Sequence, residues 1–282
     1  MINPMNLQQI ALGTWLMGGT KDPDPNSDDE KDIAIIRLAL DSGVTLIDTA
    51  QNYANGRCEE LVGEAVKDRP RNNYQILTKQ AKDNLSYQGV IDGCKASIKR
   101  LDVDYIDYFV CHAPNTDFDM HDFFKATNQL YKDGLIRHVG VSNFGVKSLQ
   151  IALEASNLPI SLNQVSFSLN DDDILRTGTY KFCIKNNIPI QAFRTLAKLG
   201  DDKEIIDTLE TIAPRYSLTI QQVALAYINS YENIHFTIRA SSKEHWRQIN
   251  DALDVQLQND DLVTLKNLHS NRKGAHGKFL EI

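Results

Sequence analysis

Short apolar runs, each about the length of one strand, recur along the chain. They are IALGTWLM (10–17), VTLID (44–48), YQILTK (74–79), YIDYFVCH (105–112), IRHVGVSN (136–143), ISLNQVSF (160–167), IPIQAF (188–193) and IHFTIRA (234–240). Their near-continuous hydrophobicity predicts strands covered on both faces, as in a parallel sheet. Between the runs the apolar positions change to helical spacing. Ile33, Ile36 and Leu40 begin this series, followed by Leu61, Val62, Ala65 and Val66, then by Ile91, Ala96, Ile98 and Leu101. Phe123, Leu130 and Tyr131 continue it, with Leu149 and Leu153, Phe182 and Ile184, and Ile205 and Leu209. Val223, Ala226 and Tyr227 come next, then Trp246, Ile249 and Leu253, and finally Leu262, Leu265 and Leu268. Ser27 with Glu30, Thr219 with Gln222, and Ser241 with Glu244 are spaced as capping boxes and predict three helix starts. Eight strands alternating with helices predict an α/β chain closed into a (β/α)8 barrel, one domain over residues 1–282. An open doubly wound sheet shares the alternation but ordinarily carries GxGxxG after its first strand. Gly13, Gly18 and Gly19 do not fit that spacing.

Composition narrows the picture. The chain has 282 residues, enough for a substantial core, and its 42% hydrophobic and 24% charged content is that of an ordinary globular protein. A formal net charge of −7 argues against a nucleic-acid or anionic-membrane surface, yet permits a small anion in a local basic pocket. No stretch approaches the run of about 18 apolar residues that a membrane helix needs. MINPMNLQQIALG lacks a basic segment followed by an apolar one, so a cytoplasmic location is expected. Cys58, Cys94, Cys111 and Cys183 form no CxxC pair, and the seven His are scattered. Reduced thiols and no metal site are therefore expected. The sequence leaves monomer and small homo-oligomer as alternatives.

Candidate chemistry lies at the strand ends, where a barrel of this type carries its functional groups. The second run ends at Asp48, the third at Lys79 and the fourth at His112. The fifth ends at Ser142 and Asn143, and the sixth carries Asn163 and Gln164. In the turn after Asp48 sits Tyr53. Each residue alone has a plain structural explanation: Asp48 as a cap or a partner for a lysine, Lys79 as an exposed strand end, His112 as a core histidine, Tyr53 as packing. Their occurrence at three consecutive strand ends favours a joint role. A phenol is a reluctant acid at neutral pH. A neighbouring ammonium lowers its pKa, and a carboxylate beside the ammonium holds that charge in place. A histidine at the next strand can orient a carbonyl oxygen. Protonation of that oxygen is useful when a hydride reaches its carbon, so the set points to carbonyl reduction by a nicotinamide.

These residues carry a resemblance. GVTLIDTAQNYANGRCEELVG (43–63) is similar to the first signature of the aldo-keto reductase superfamily, D-T-A-x-x-Y followed by G-x-x-E-x-L-x-G. LDVDYIDYFVCHAP resembles its fourth-strand block and LIRHVGVSNFGVKSL its fifth. IPIQAFRTLAKLG and IRASSKEHWRQINDALDVQL resemble, more loosely, its seventh-strand and carboxyl-terminal cofactor blocks. The likeness runs from about Leu12 to Leu268. It implies an eight-stranded barrel that binds NADP(H) without a Rossmann domain, with NAD(H) left open, and a small aldehyde or ketone as substrate. It implies catalytic roles for Asp48, Tyr53, Lys79 and His112. Cofactor contacts are implied for Gly13, Thr14, Trp15, Asp48, Ser142, Asn143 and Gln164, with Phe193 stacking on the nicotinamide ring. Further along they are implied for Arg194, Leu196, Arg239, Ser241, His245 and Gln248.

The chain departs from the family pattern in the part that would hold the rest of the cofactor. Arg194-Thr195-Leu196 stands where Ser-Pro-Leu is usual, and Thr237-Ile238-Arg239 where Ile-Pro-Gly is frequent. Arg194 is a candidate either for the pyrophosphate or for capping its own loop. Arg239 and Ser241 are candidates for the adenosine 2′-phosphate, because guanidinium binds phosphate bidentately. Gln248-Ile249 replaces the usual Glu-Asn pair at the adenine end, and Ala54 and Cys58 stand where glycine and serine are frequent. Trp15, Phe118 and Phe144 are candidates for the pocket wall. HAPNTDFDM after the fourth run is short and acidic, and HSNRKGAHGKFLEI at the end is short and basic. Two other functions stay in view: a Schiff-base lyase acting through Lys79, and a non-catalytic NADP(H)-binding, redox-sensing barrel. An amine nucleophile must be neutral, which an adjacent Asp48 opposes.

Overall fold

The computed structural model describes residues 7–197 and 199–270. Eight parallel strands close into a barrel in chain order, with β1 pairing both β2 and β8. They are β1 (Ile10–Gly13), β2 (Leu46–Asp48), β3 (Gln75–Gln80), β4 (Ile106–Cys111), β5 (Ile136–Ser142), β6 (Ile160–Ser166), β7 (Ile190–Phe193) and β8 (Ile234–Ile238). Seven fall within one of the eight apolar runs, and β3 extends its run by one residue, to Gln80. The helices are α1 (Asp29–Asp41), α2 (Arg57–Val66), α3 (Tyr87–Leu101), α4 (Met120–Lys132), α5 (Val146–Ala155) and α6 (Asp173–Arg176). After them come α7 (Thr179–Lys185), α8 (Lys203–Ile212), α9 (Ile220–Asn229), α10 (Lys243–Leu253) and α11 (Asn259–Ser270). Among the described residues no helix is long and apolar enough to cross a membrane.

Side chains alternate between the two faces of each strand, and the alternation separates two cores. One face packs against the helices: Leu12, Ile47, Ile76, Phe109, Cys111, Val141, Val165, Ala192 and Phe236 belong to that large cluster. The other face points into the barrel, where Ala11, Leu46, Leu77, Tyr108, Val110 and Leu162 form a smaller cluster with Leu7. One step of two residues further along each strand, the interior position turns polar or open. Ala11 is followed by Gly13, Leu46 by Asp48, Leu77 by Lys79, Val110 by His112 and Leu162 by Gln164. The candidate residues are thus the top layer of the barrel interior, above an apolar plug.

Glycine makes two close approaches possible. A Cβ on Gly13 would meet Thr237 Cγ2 at 2.9 Å, so an alanine there would push β1 off β8. A Cβ on Gly140 would stand 3.1 Å from Leu162 Cγ and 3.2 Å from Val110 Cγ2, where β5 and β6 shift register.

Helix starts correct the sequence reading in two places. Thr219 and Gln222 form the expected capping box on α9. For α1 the cap is Asp28, whose side chain accepts from Lys31 N, rather than Ser27. For α10 it is Ser242, accepting from His245 N, rather than Ser241. In both cases two good capping residues stand side by side, and the helix takes the second. Tyr131 and Leu153, read as apolar-face positions, are 38% and 39% exposed, because Leu130 and Leu149 already fill the inward faces of α4 and α5. Residues 271–282, most of the basic tail, lie outside the described residues.

Candidate active site

Asp48 is the last residue of β2 and is 2% exposed. Its partner is Lys79 on β3, which is wholly buried and pairs with Asp48 Oδ1. Lys79 Nζ also donates to the Thr49 carbonyl at 2.9 Å and approaches the Tyr53 hydroxyl at 3.4 Å. Asp48 Oδ2 accepts from Gln164 Nε2 at 2.6 Å and from Thr237 Oγ1 at 2.8 Å. The carboxylate therefore faces donors from β3, β6 and β8. A buried charge is tolerable when it is paired and hydrogen-bonded in this way.

Tyr53 opens a short 3-10 turn, Tyr53–Gly56, in which Ala54 and Asn55 both adopt left-handed backbone. The turn lets the chain leave β2 and place the phenol over the barrel mouth before α2 begins. The Tyr53 ring packs edge-on against Trp15 at 4.8 Å and against His112 at 5.7 Å, centroid to centroid. Cys58, behind it, bonds the Thr14 hydroxyl at 3.1 Å, and Thr14 in turn donates to the Asp48 carbonyl at 2.8 Å.

Burial and the neighbouring charges shift each titratable group. Burial pushes the Tyr53 phenol up, and the Lys79 ammonium offsets this only in part. Burial alone would lower Lys79, but the Asp48 carboxylate and the Tyr53 hydroxyl outweigh it, so the ammonium is held above its ordinary range. Burial, together with the positive charges of Lys79 and Lys82, pushes His112 down to about 3. At neutral pH the site therefore holds a protonated phenol, an ammonium and a neutral imidazole. The sequence reading expected the ammonium to bring the phenol's pKa down; here burial exceeds it.

A cavity of about 470 Å³ opens at this mouth and is lined by Asp48, Tyr53 and His112, while Lys79 lies beneath them. Of the candidate cofactor residues, it brings together Gly13, Thr14, Trp15, Ser142, Asn143, Gln164, Phe193, Arg194 and Arg239. A second hollow of about 330 Å³ holds Leu196, His245 and Gln248, and it shares Ile238 and Arg239 with the first. Ser241 is exposed and lines neither hollow. Trp15 lines the mouth, whereas Phe144 is fully buried in the core and Phe118 packs against that core.

Several backbones at the mouth are strained. Asn143, Arg194 and Leu16 have φ of 61°, 57° and 75°. Such a conformation costs a non-glycine residue on the order of 1 kcal/mol and concentrates at functional sites. Asn143 is held by its amide donating to the His112 carbonyl at 3.0 Å. Arg239 reaches the Trp15 carbonyl and Asp32, both at 3.3 Å, and Asp32 accepts from Gly18 N at 2.9 Å. Arg239 therefore bridges the end of β8 to the loop that carries Trp15.

The sequence reading missed Thr237 and Gln191. Gln191 is fully buried, and its Oε1 takes the Gln164 amide at 2.9 Å. The usable signal was parity: Phe236 and Ile238 face the helices, which turns Thr237 inward. Among the described residues no group of His, Cys, Asp and Glu is arranged to hold a metal ion, and all four cysteines are free and buried.

The sequence profile of the aldo/keto reductase family matches residues 9–269. The chain belongs to this family. It is 29% identical over 277 residues to methylglyoxal reductase YeaE of Escherichia coli, covering 96% of this chain and 94% of that protein. Among solved structures, the thermostable aldo-keto reductase Tm1743 in complex with epalrestat superposes with a TM-score of 0.87 at 32% identity, covering 93% and 95% of the two chains. An aldo-keto reductase from Klebsiella pneumoniae in complex with NADPH gives 0.82 at 26% identity, covering 97% and 94%.

Proposed function

We propose that the protein reduces a small aldehyde or ketone to an alcohol, with NADP(H) as hydride source. The observation that carries this reading is the Tyr53 hydroxyl 3.4 Å from Lys79 Nζ of the buried Lys79–Asp48 pair, at the floor of a cavity that His112 also lines. The family relationship supports it, as do the Klebsiella aldo-keto reductase held with NADPH and the methylglyoxal reductase of Escherichia coli.

The residues present fit the cofactor. Two adjoining hollows suit a two-ended ligand. One offers the Phe193 ring and the amides of Asn143 and Gln164; the other sets Leu196, Leu225 and Ile249 beside Gln222, His245 and Gln248. Gln164 commits its amide nitrogen to Asp48 and Gln191, which leaves its amide oxygen to receive an N–H from a carboxamide. Arg194 lines the first hollow and Arg239 borders both, which makes them the candidates for the cofactor phosphates. Bound NADPH supplies the hydride that reaches the carbonyl carbon.

The chain's own groups handle the oxygen. The substrate carbonyl lies between Tyr53 Oη and the His112 ring. The phenol gives its proton to the developing alkoxide, and the adjacent ammonium stabilises the phenolate that remains. His112, neutral well below pH 7, donates a hydrogen bond and orients the carbonyl rather than supplying the proton. Trp15 and Leu16, 44% and 50% exposed, form an apolar lip that excludes water from the reacting atoms. Small 2-oxoaldehydes are the first substrates to try, given the relative named above.

The test is titration with NADPH and NADH, then turnover on a panel of aldehydes and ketones, for the parent and for Tyr53→Phe. Reduction is lost in the variant while nucleotide binding is retained. A variant that reduces as fast as the parent removes Tyr53 as the acid. Tight nucleotide binding by the parent with no turnover on any carbonyl favours a redox-sensing barrel instead.

A further inference from the structure

We propose that Thr237 is a positioning residue for the proton-donating group, acting through the Asp48 carboxylate. The inference rests on the proposed carbonyl reduction. It adds a part that the four residues recognisable in the sequence do not include.

The argument concerns how a carboxylate is kept in one orientation. Lys79 alone fixes one oxygen of Asp48 and leaves the other free to swing about the Cβ–Cγ bond. Thr237 Oγ1 at 2.8 Å and Gln164 Nε2 at 2.6 Å meet Asp48 Oδ2 from two strands, which sets the plane of the carboxylate. With that plane set, Oδ1 points at Lys79, and Lys79 Nζ is delivered to within 3.4 Å of the Tyr53 hydroxyl. The Lys79–Tyr53 contact is long, so a small displacement of the ammonium takes it out of hydrogen-bond range.

The two donors to Oδ2 are not equivalent. Gln164 has several claims on its amide nitrogen: Asp48, Gln191 Oε1 at 2.9 Å and a longer contact to Thr237 Oγ1 at 3.5 Å. Gln164 and Thr237 both line the cavity, so the difference between them lies in how each side chain is held. The Thr237 hydroxyl has one acceptor within 2.8 Å, and its methyl lies against Gly13, where a Cβ would meet it at 2.9 Å. The close β1–β8 approach thereby locks the Thr237 side chain with its hydroxyl toward Asp48. Thr237 is thus the donor whose hydroxyl is given to Asp48 alone.

The experiment uses Thr237→Val, which keeps the shape and removes the hydroxyl, and Thr237→Ser, which keeps the hydroxyl. NADPH-dependent reduction of methylglyoxal and the aldehyde panel is measured against pH, together with crystal structures of the parent and both variants. In Thr237→Val, kcat falls on the order of tenfold, about 1.4 kcal/mol in the barrier. The carbonyl KM and the NADPH Kd stay within about twofold of the parent, as expected when only the transition state loses stabilisation. The alkaline limb of kcat moves upward, because an Asp48 charge less offset by donors disfavours the phenolate more strongly. Thr237→Ser recovers most of kcat and the parent pH profile. The Thr237→Val crystal structure shows the Asp48 carboxylate rotated and Lys79 Nζ further from Tyr53. An unchanged kcat and pH profile in Thr237→Val, or failure of Thr237→Ser to recover them, overturns the proposal, even if Thr237→Val melts earlier. If the parent reduces no carbonyl, the reduction reading fails on its own. The crystal structures then decide the positioning role: an unmoved Asp48 and Lys79 in Thr237→Val refute it.

Discussion

Removing either member of the Lys79–Asp48 pair should harm the fold more than removing both. Lys79→Met deletes the ammonium and leaves the Asp48 charge buried with only Gln164 and Thr237 as donors. Asp48→Asn leaves the ammonium with the Thr49 carbonyl at 2.9 Å and the Tyr53 hydroxyl at 3.4 Å, neither carrying compensating charge. An uncompensated charge at such a site costs about 3–5 kcal/mol. Lys79 is 0% exposed and Asp48 2%, so water recovers little of that cost. The double variant Asp48→Asn/Lys79→Met leaves no uncompensated charge buried, so its loss should be smaller than that of either single variant. The coupling energy, the sum of the single losses less the double loss, is then about 3 kcal/mol or more. The assay is urea unfolding of the four proteins at pH 7, with slopes compared to confirm that the same surface is exposed in each. All three variants lose carbonyl reduction, which separates stability from chemistry. Losses that add within about 0.5 kcal/mol would refute the claim that the pair is mutually compensating.

Other outcomes follow from the same geometry. His112 resists protonation in the folded chain down to about pH 3, whereas the unfolded chain accepts a proton near 6.5, so stability falls as pH drops through that window. The drop is a few kcal/mol between pH 6.5 and 4; urea titrations of the parent and His112→Asn should show a flatter profile in the variant. Glu59 is fully buried on α2 and holds Arg100 at 2.6 Å and the Thr78 hydroxyl at 2.5 Å. Glu59→Gln should lose about 2 kcal/mol, roughly 4–8 °C in a melting scan, with NADPH binding unchanged. Arg239→Ala should raise the Kd for NADPH more than that for NADH, measured by fluorescence titration; equal rises would place Arg239 away from the 2′-phosphate.

The barrel was legible from its eight apolar runs, and Asp48, Lys79 and His112 because the second, third and fourth runs end on polar residues whose inward direction is set by strand parity. Asp48, Lys79 and His112 sit where an apolar residue would be expected, and that mismatch is readable without structure. The same parity turns Thr237 inward but gives no sign of a role. Threonine is an ordinary strand residue, and only pairing with a carboxylate 189 positions earlier distinguishes it. Gln191 is hidden similarly, since its role exists only through Gln164. The caps at Asp28 and Ser242 were displaced by one residue because their neighbours Ser27 and Ser241 cap equally well in isolation. The net direction of the phenol's shift was misjudged because a sequence records the neighbouring ammonium but not the depth of burial.

Asp48 is bonded to Lys79, 31 positions away, to Gln164, 116 positions away, and to Thr237, 189 positions away. A folding chain meets such contacts in order of the loop each must close, and the longest loop carries the largest entropic cost. The pairing with Lys79 is available once two neighbouring strands dock. The Gln164 bond needs six strands, and the Thr237 bond forms only when the eighth strand seals against the first. A half-assembled barrel can therefore hold the ion pair without its final orientation, and a chain ending before β8 would keep the four recognisable residues without the last constraint on them. Closure of the fold and completion of the proposed proton donor are the same event.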